Sequence, residues 1–411
     1  ASLSERAGYT IITFNANAST VSVEKDLEGV TYKKGQEITL LELCDIIDNI
    51  DNAFDKYFEE AKINKPRAKR MCGYTTWYNY YTSVTEEIVE RDLEAIAKLG
   101  SKIDIFQVDD GYERTVGDWL YHDEKKFPSG MKLIADNIHK NDMLAGLWLA
   151  PFAATPKSYI YNKHKDWFVK NKNGKIPFAS HNWGGFYALD IYNNEVRQYL
   201  KEVFDTVLNV WGYDMVKLDF LYACCIIPFN GKSRGEIMCD AMDLIRELCG
   251  DKLILGCGVP LAPAFGKVDF CRIGADMALS WGKKPFSRED VSTKHALLNT
   301  IFRRELDGRA FLNDPDVFLL RDNNIKMSFE QRKLIAETAS LFGNLLFVSD
   351  DVSTYNNNQK DCFINVTTRN KADINYVNMD SDGDISIKHT LDGEKKGYCF
   401  NINSGDKKVL I

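Results

Sequence analysis

Acidic residues recur at the ends of short apolar runs in this chain. Asp109 and Asp110 close one run, and Asp219 lies in Lys217-Leu-Asp219-Phe220. Asp276 ends Arg272-Ile-Gly-Ala-Asp276, Asp314 and Asp316 lie in Asn313-Asp314-Pro315-Asp316, and Asp350 and Asp351 follow Ser349. Any one of them alone reads as a helix N-cap or a turn acid. Several converging on one concave site would repel unless cations, metals or a hydroxyl-rich ligand accompany them. Two cations stand close by in sequence. Lys217 is two residues before Asp219, hence on the same face of a strand, and an ammonium favours the charged carboxylate that a nucleophile requires. Arg272 precedes Asp276 by four residues and can hold a hydroxyl or a carboxylate. Glycoside hydrolysis uses such a set. One carboxylate attacks the anomeric carbon and a second carboxyl protonates the leaving oxygen, the two about 5–5.5 Å apart in a retaining enzyme. Trp77, Trp148, Trp183 and Trp281 offer apolar faces to a sugar ring, although core packing is the stronger reading for Trp183 and Trp211.

Other chemistries leave weaker traces. The six histidines are scattered, with no H-E-x-x-H or H-x-H spacing, so a zinc hydrolase is not expected. Gly256-Cys-Gly258 is an isolated pair rather than a phosphate-binding loop. The vicinal Cys224-Cys225 has no adjacent base and reads as structural. A metal-dependent barrel enzyme with Asp109, Asp219 and Asp276 as Mg²⁺ ligands is a competing class, but Lys217 beside the middle ligand speaks against it.

These residues need a scaffold. The chain has 411 residues, 45% of them hydrophobic, enough for a sizeable core. A formal charge of −7 argues against nucleic acid as a partner. Ten cysteines without a C-x-x-C pair, several in apolar runs, read as buried free thiols. No apolar stretch of membrane-spanning length and no signal peptide is seen, so neither a membrane partner nor secretion is expected, and a cytoplasmic location is. The sequons at Asn17 and Asn365 are then chance matches.

From residue 70 to about 350, eight near-continuously apolar runs alternate with amphipathic helices: Met71–Trp77, Ile103–Asp110, Leu144–Phe152, Met215–Leu221, Leu253–Val259, Phe270–Asp276, Phe311–Leu320 and Asn344–Asp350. That alternation predicts a parallel sheet, and its size predicts a (β/α)8 barrel, with a doubly wound sheet as the alternative. Helices are expected to start with a capping box at Ser83-x-x-Glu86 and another at Ser328-x-x-Gln331, and to cover 194–211 and 241–249. Before the barrel, strands are expected at Tyr9–Phe14, Thr20–Val23 and Val30–Tyr32, then a helix over 41–61 and a linker at Pro66. Residues 153–192 form a long excursion after the third strand, suited to an active-site wall. Short runs at Cys362–Thr367, Asp373–Val377, Ile385–Lys388 and Tyr398–Ile402 predict a small all-β domain over 352–411. The division is thus 1–65, 66–351 and 352–411.

The motifs themselves resemble the α-galactosidases of glycoside hydrolase family 36, in the melibiase clan. The matching segments are WYNYY (Trp77–Tyr81), FQVDDGYERTVGDW (Phe106–Trp119), GLWLAPF (Gly146–Phe152), HKDWFVKN (His164–Asn171), YALD (Tyr187–Asp190), KLDFLYA (Lys217–Ala223), GCGVPL (Gly256–Leu261), RIGAD (Arg272–Asp276) and FLNDPD (Phe311–Asp316), in the family's order over roughly residues 70–350. The resemblance implies a retaining exo-glycosidase that releases terminal α-linked galactose from substrates such as melibiose or raffinose, with no cofactor and no metal. It implies Asp219 as nucleophile and Asp276 as acid/base, and therefore a bell-shaped pH–rate profile. It places Asp109 and Asp110 on the 4- and 6-hydroxyls of galactose, Lys217 and Arg272 on the sugar, and Trp77, Trp148, Cys257, Gly258 and Trp281 in the pocket wall. An α-N-acetylgalactosaminidase or a galactosyl transferase would share this chemistry, with the loop Cys257–Pro260 expected to decide at the sugar 2-position. A sugar-binding protein without catalysis is opposed by the presence of both Asp219 and Asp276. Two departures from the family pattern stand out. Only 65 residues precede Pro66, which read as the tail of a large β-supersandwich, and Ala275 replaces a proline of some relatives. The sequence leaves oligomerisation open.

Overall fold

The computed structural model describes residues 9–40, 42–282 and 291–410. The first eight residues of the N-terminal segment, the first residue of the helix expected over 41–61 and Ile411 lie outside the described residues. Each apolar run becomes a short strand: β1 (Met71–Thr75), β2 (Ile105–Val108), β3 (Leu144–Leu149), β4 (Met215–Leu218), β5 (Leu253–Gly256), β6 (Phe270–Arg272), β7 (Leu312–Asp314) and β8 (Leu345–Val348). Their residues are buried almost throughout, as in strands covered on both faces. The hydrogen-bonded order is β7-β6-β5-β4-β3-β2-β1-β8, with Val317–Phe318 next to β8. β7 and Val317–Phe318 are halves of one segment, so the order ends on the segment where it began, as the (β/α)8 barrel class requires. Pro315 and Asp316 divide that segment. Proline cannot donate to a ladder, and Asp316 adopts φ 76°.

The chain divides into two compact units. The first comprises Ala1–Lys65, Tyr112–Lys132 and Leu147–Asp269. Among its described residues the hairpin Tyr9–Asn15 and Thr20–Asp26 is antiparallel. Val30–Tyr32 is not a strand: Val30 N–H donates to Leu27 O at 2.9 Å, closing a turn instead of a ladder. The helix expected over 41–61 covers only Ile50–Glu60, because Asn49 caps it there by accepting from Asn52 N–H. In the parallel pair β4–β5, Lys217 stands opposite Leu255. Helix Asn194–Asp205 passes into a wider π-type turn at Thr206–Val210, burying Val196, Leu200, Val203 and Val207 on one face. The helix expected from Ala241 begins already at Arg234, capped by Ser233. The excursion 153–192 folds into a three-stranded sheet of Ala153–Ala154, Phe186–Ala188 and Phe178–Ser180.

The second unit comprises Pro66–Gly111, Leu133–Gly146 and Phe270–Ile411. Helix Glu86–Ala97 buries Val89, Leu93 and Ile96, but Ser83 does not cap it. Ser83 lies in the tight turn Tyr81–Ser83, and the extended Thr85 accepts from Ile88 N–H instead. The capping box of Ser328 and Gln331 forms as expected. The run Cys362–Thr367, expected as a strand, lies inside helix Asn357–Thr368. A capping box of Asn356 and Gln359 starts that helix, and Cys362, Phe363 and Val366 bury one side of it. The strands that follow, Asp373–Met379, Asp384–Leu391, Glu394–Asn401 and Lys407–Val409, make a four-stranded antiparallel sheet. All ten cysteines are free, and seven of them are buried. Among the described residues, no helix is long and apolar enough to cross a membrane.

Candidate functional site

The strand ends of the first unit gather Trp148, Asp219 and Gly258. Asp219 N–H donates to Leu149 O at 2.8 Å, so the β3–β4 pairing runs one residue past β4 and fixes the aspartate backbone. The chain then turns sharply, because Phe220 takes φ 51°. That turn aims Phe220 N–H back at Asp219 Oδ1, at 2.7 Å. The Trp148 indole N–H donates to Asp219 Oδ2 at 3.3 Å. Both carboxylate oxygens are therefore oriented by N–H donors, while the residue stays partly exposed. Gly258, at φ 54°, makes room for this. A Cβ there would stand 2.8 Å from Phe220 N and 3.0 Å from Asp219 Oδ1. Lys217, in β4 itself, and Cys257, just past β5, are buried. Trp183 is half-buried, at φ 55°, and its ring lies 5.9 Å from Trp148 and 4.7 Å from Phe220. It thus extends an aromatic line from the nucleophile candidate rather than filling a core.

The second unit holds two further groups. Asp109 and Asp110 follow β2 and are buried, at 2% and 4% exposure. Asp109 Oδ2 accepts from Gln107 Nε2 at 2.6 Å and from Thr75 Oγ1 at 3.3 Å, while its Oδ1 accepts from Asp110 N–H at 2.9 Å. Gln107 and Thr75 face each other across the β1–β2 register, so two adjacent strands fix one carboxylate.

The other group surrounds Arg272. Its guanidinium meets three carboxylates: Asp276 Oδ1 at 3.0 Å from Nη1, Asp314 Oδ2 at 3.3 Å from Nε, and Asp316 Oδ1 at 2.8 Å from Nη2. The Arg272 side chain is 7% exposed, whereas that of Asp276 is 52% exposed. The second carboxyl candidate is open to a ligand, and the cation behind it is not. Burial pushes the Asp316 carboxyl up to about 6, with Arg272 pulling the other way. Tyr78, which donates to Asp316 Oδ2 at 2.5 Å, is raised well above the usual phenol range, first by burial and then by Asp316.

The remaining expected residues make contacts of their own. Trp77 packs edge-on against Tyr81. Trp281 is buried and donates its indole N–H to Ile402 O at 3.0 Å, beside the antiparallel sheet. Asp350 accepts from Leu320 N–H at 2.6 Å, Arg321 N–H at 3.1 Å and Tyr355 OH at 2.6 Å, so it ties backbone together. Asp351 caps the turn Val352–Thr354. Sequence reasoning missed Tyr78, Thr75 and Gln107. Gln107 had a usable signal, its place two residues before Asp109 on the same strand face. Among the described residues, no group of three or more His, Cys, Asp or Glu side chains is arranged to hold a metal ion.

Known proteins resemble this chain in sequence and in fold. A melibiase family model matches residues 36–231. An α-galactosidase of Escherichia coli is 23% identical over 239 residues, 55% of this chain and 32% of that protein. The α-galactosidase Mel36A of Lactobacillus acidophilus is 29% identical over 183 residues, 42% of this chain and 24% of that protein. The chain therefore spans a third or less of these curated relatives. The structure of the α-galactosidase TtGalA from Thermus thermophilus in complex with stachyose superposes with a TM-score of 0.70 at 30% identity, covering 78% of this chain and 69% of that one. On this likeness in sequence and fold, the chain belongs to the melibiase family, among the α-galactosidases of glycoside hydrolase family 36.

Proposed function

We propose that the chain hydrolyses terminal α-linked galactosides with net retention, with residues 66–351 as its catalytic barrel flanked by 1–65 and 352–411. The observation that carries this reading is Asp219, a partly exposed carboxylate at the end of β4 with both oxygens oriented by N–H donors. Asp219 attacks the anomeric carbon as Asp276 gives its proton to the departing oxygen, forming a β-galactosyl ester. Asp276 then takes a proton from water, the water oxygen bonds to the anomeric carbon, and the ester C–O bond breaks. Asp109 and Asp110 accept hydrogen bonds from the 4- and 6-hydroxyls. Lys217 and Arg272 contact the sugar, and Trp77, Trp148, Cys257, Gly258 and Trp281 complete the wall. No step calls on a cofactor. Melibiose, raffinose and related oligosaccharides are the substrate class, and ten free thiols fit a reducing compartment such as the cytoplasm.

Turnover of p-nitrophenyl α-galactoside, followed by NMR of the first-formed anomer, tests this reading. α-Galactose is expected first, at a rate that EDTA leaves unaltered. No turnover, a β-anomer or loss of activity in EDTA would each reject it. The N-acetylgalactosaminide run in parallel is expected to be a poor substrate.

The geometry makes a further demand. Gly258→Ala places a methyl group against Phe220 N and Asp219 Oδ1 at a backbone angle that disfavours side chains. A displaced nucleophile is expected to lower kcat by about 10- to 100-fold. An unchanged kcat in the same assay would show that the turn tolerates the methyl group.

A further inference from the structure

Asp316 belongs to a motif that the proposed mechanism leaves unused, yet it contacts both sides of Asp276. One oxygen pairs with Arg272 Nη2 at 2.8 Å, and Arg272 Nη1 in turn lies 3.0 Å from the Asp276 carboxyl. The other oxygen accepts from the N–H of Met277, the residue after Asp276, at 2.7 Å. Tyr78 OH donates to that same oxygen at 2.5 Å and accepts from Met277 N–H at 3.1 Å. Asp316 is 1% exposed, so no solvent competes for these bonds. Its own backbone sits at φ 76° after Pro315, and its N–H donates to Asp314 Oδ1 at 2.9 Å. A strained aspartate held this firmly, in an interrupted strand, is the kind of feature that clusters at active sites.

We infer that Asp316, with Tyr78, is a positioning residue for the acid/base. It clamps the peptide that follows Asp276 and, through Arg272, the rotamer of the Asp276 carboxyl. Asp276 itself makes little contact that would order it, since its side chain is half exposed. β6 ends at Arg272, four residues earlier, so sheet hydrogen bonding does not fix it either. The bonds from Asp316 and from Tyr78 supply what the strand lacks.

The inference rests on Asp276 being the general acid, and the test separates the two statements. kcat/KM is measured for Asp316→Asn, Tyr78→Phe and Asp276→Ala on two substrates. One is 2,4-dinitrophenyl α-galactoside, whose leaving group departs without a proton. The other is melibiose, whose leaving sugar needs one. A misaimed acid penalises only the second. For Asp316→Asn the expected loss is about 100-fold on melibiose and no more than about threefold on the dinitrophenyl substrate, set against the 10²–10⁴-fold worth of a positioned acid. Asp276→Ala should show the same split, larger. Tyr78→Phe removes one bond and keeps the carboxylate, so it probes the clamp even if Asp316→Asn folds poorly, and a split of about three- to tenfold is expected. Equal losses on both substrates for Asp316→Asn and Tyr78→Phe would reduce the pair to general scaffolding and overturn the inference. Absence of a split in Asp276→Ala would instead remove the acid assignment, and the positioning role would go with it.

Discussion

Asp219→Gly is expected to lose hydrolysis of p-nitrophenyl α-galactoside by a factor of about 10⁴–10⁶, the range seen when a covalent catalyst is deleted. Without the carboxylate no ester forms, and water has no partner to displace. The deletion also opens a space the size of a small anion, bordered by the Trp148 indole N–H and the Phe220 N–H that had oriented the two oxygens. Azide should occupy it. Its terminal nitrogen would bond to the anomeric carbon from the β-face as nitrophenolate leaves, giving β-galactosyl azide. Recovery of that product, identified by NMR, would assign the attacking face to Asp219. Glycine at this position keeps the Leu149 contact made by the backbone N–H, and the residue is partly exposed, so the melting temperature should barely move. A variant that retains the parent rate would end the assignment outright.

Asp109→Asn should cost nearly as much, for a different reason. A site built to accept a substrate hydroxyl discriminates by about 10⁴–10⁵ against a ligand that cannot supply it, because its buried groups are then left unpaired. Replacing one acceptor with an amide is therefore expected to lower kcat/KM on α-galactosides by about 10³-fold. It should also shrink the preference for the α-galactoside over the matching α-glucoside, which differs only at the 4-hydroxyl. The measurement is the ratio of kcat/KM on the two nitrophenyl glycosides. The change has a stability signature too. Both oxygens of Asp109 accept from N–H donors, Gln107 Nε2 on one side and Asp110 N–H on the other. An asparagine NH2 must face one of these, donor against donor, at a cost of about 1–3 kcal/mol for a buried unsatisfied group. A variant with intact selectivity and intact stability would show that Asp109 neither reads the sugar nor carries the network.

The sequence was legible wherever a local rule governs. Runs buried on both faces became strands because nothing but another covered strand can satisfy their backbone while hiding their side chains. Ser328 with Gln331 began a helix as its capping box required. The same local rule also misled. The apolar run Cys362–Thr367 carries no period that separates strand from helix, and only the cap at Asn356 and Gln359 decides in favour of helix. The helix expected from residue 41 shortened because Asn49, not its apolar content, sets its start.

Candidate chemistry was legible as residue types, since a carboxylate at a strand end is visible in one dimension. What each carboxylate does was not. Asp350 and Asp316 look alike in sequence. In the fold one ties backbone at Leu320 and Arg321, and the other binds Arg272 and the peptide after Asp276. Tyr78 is far from Asp316 in the chain and touches it because the segments that follow β1 and β7 meet within the same unit. The amino-acid sequence alone thus determined the eight buried strands β1–β8, their order along the chain and the inventory of acids. Tertiary structure decided which acids stay exposed, which are spent on backbone and which hold another residue in place. The physical reason is that a carboxylate's role depends on the donors and cations that reach it, and some of those come from residues distant in the chain, as Trp148 reaches Asp219 and Tyr78 reaches Asp316.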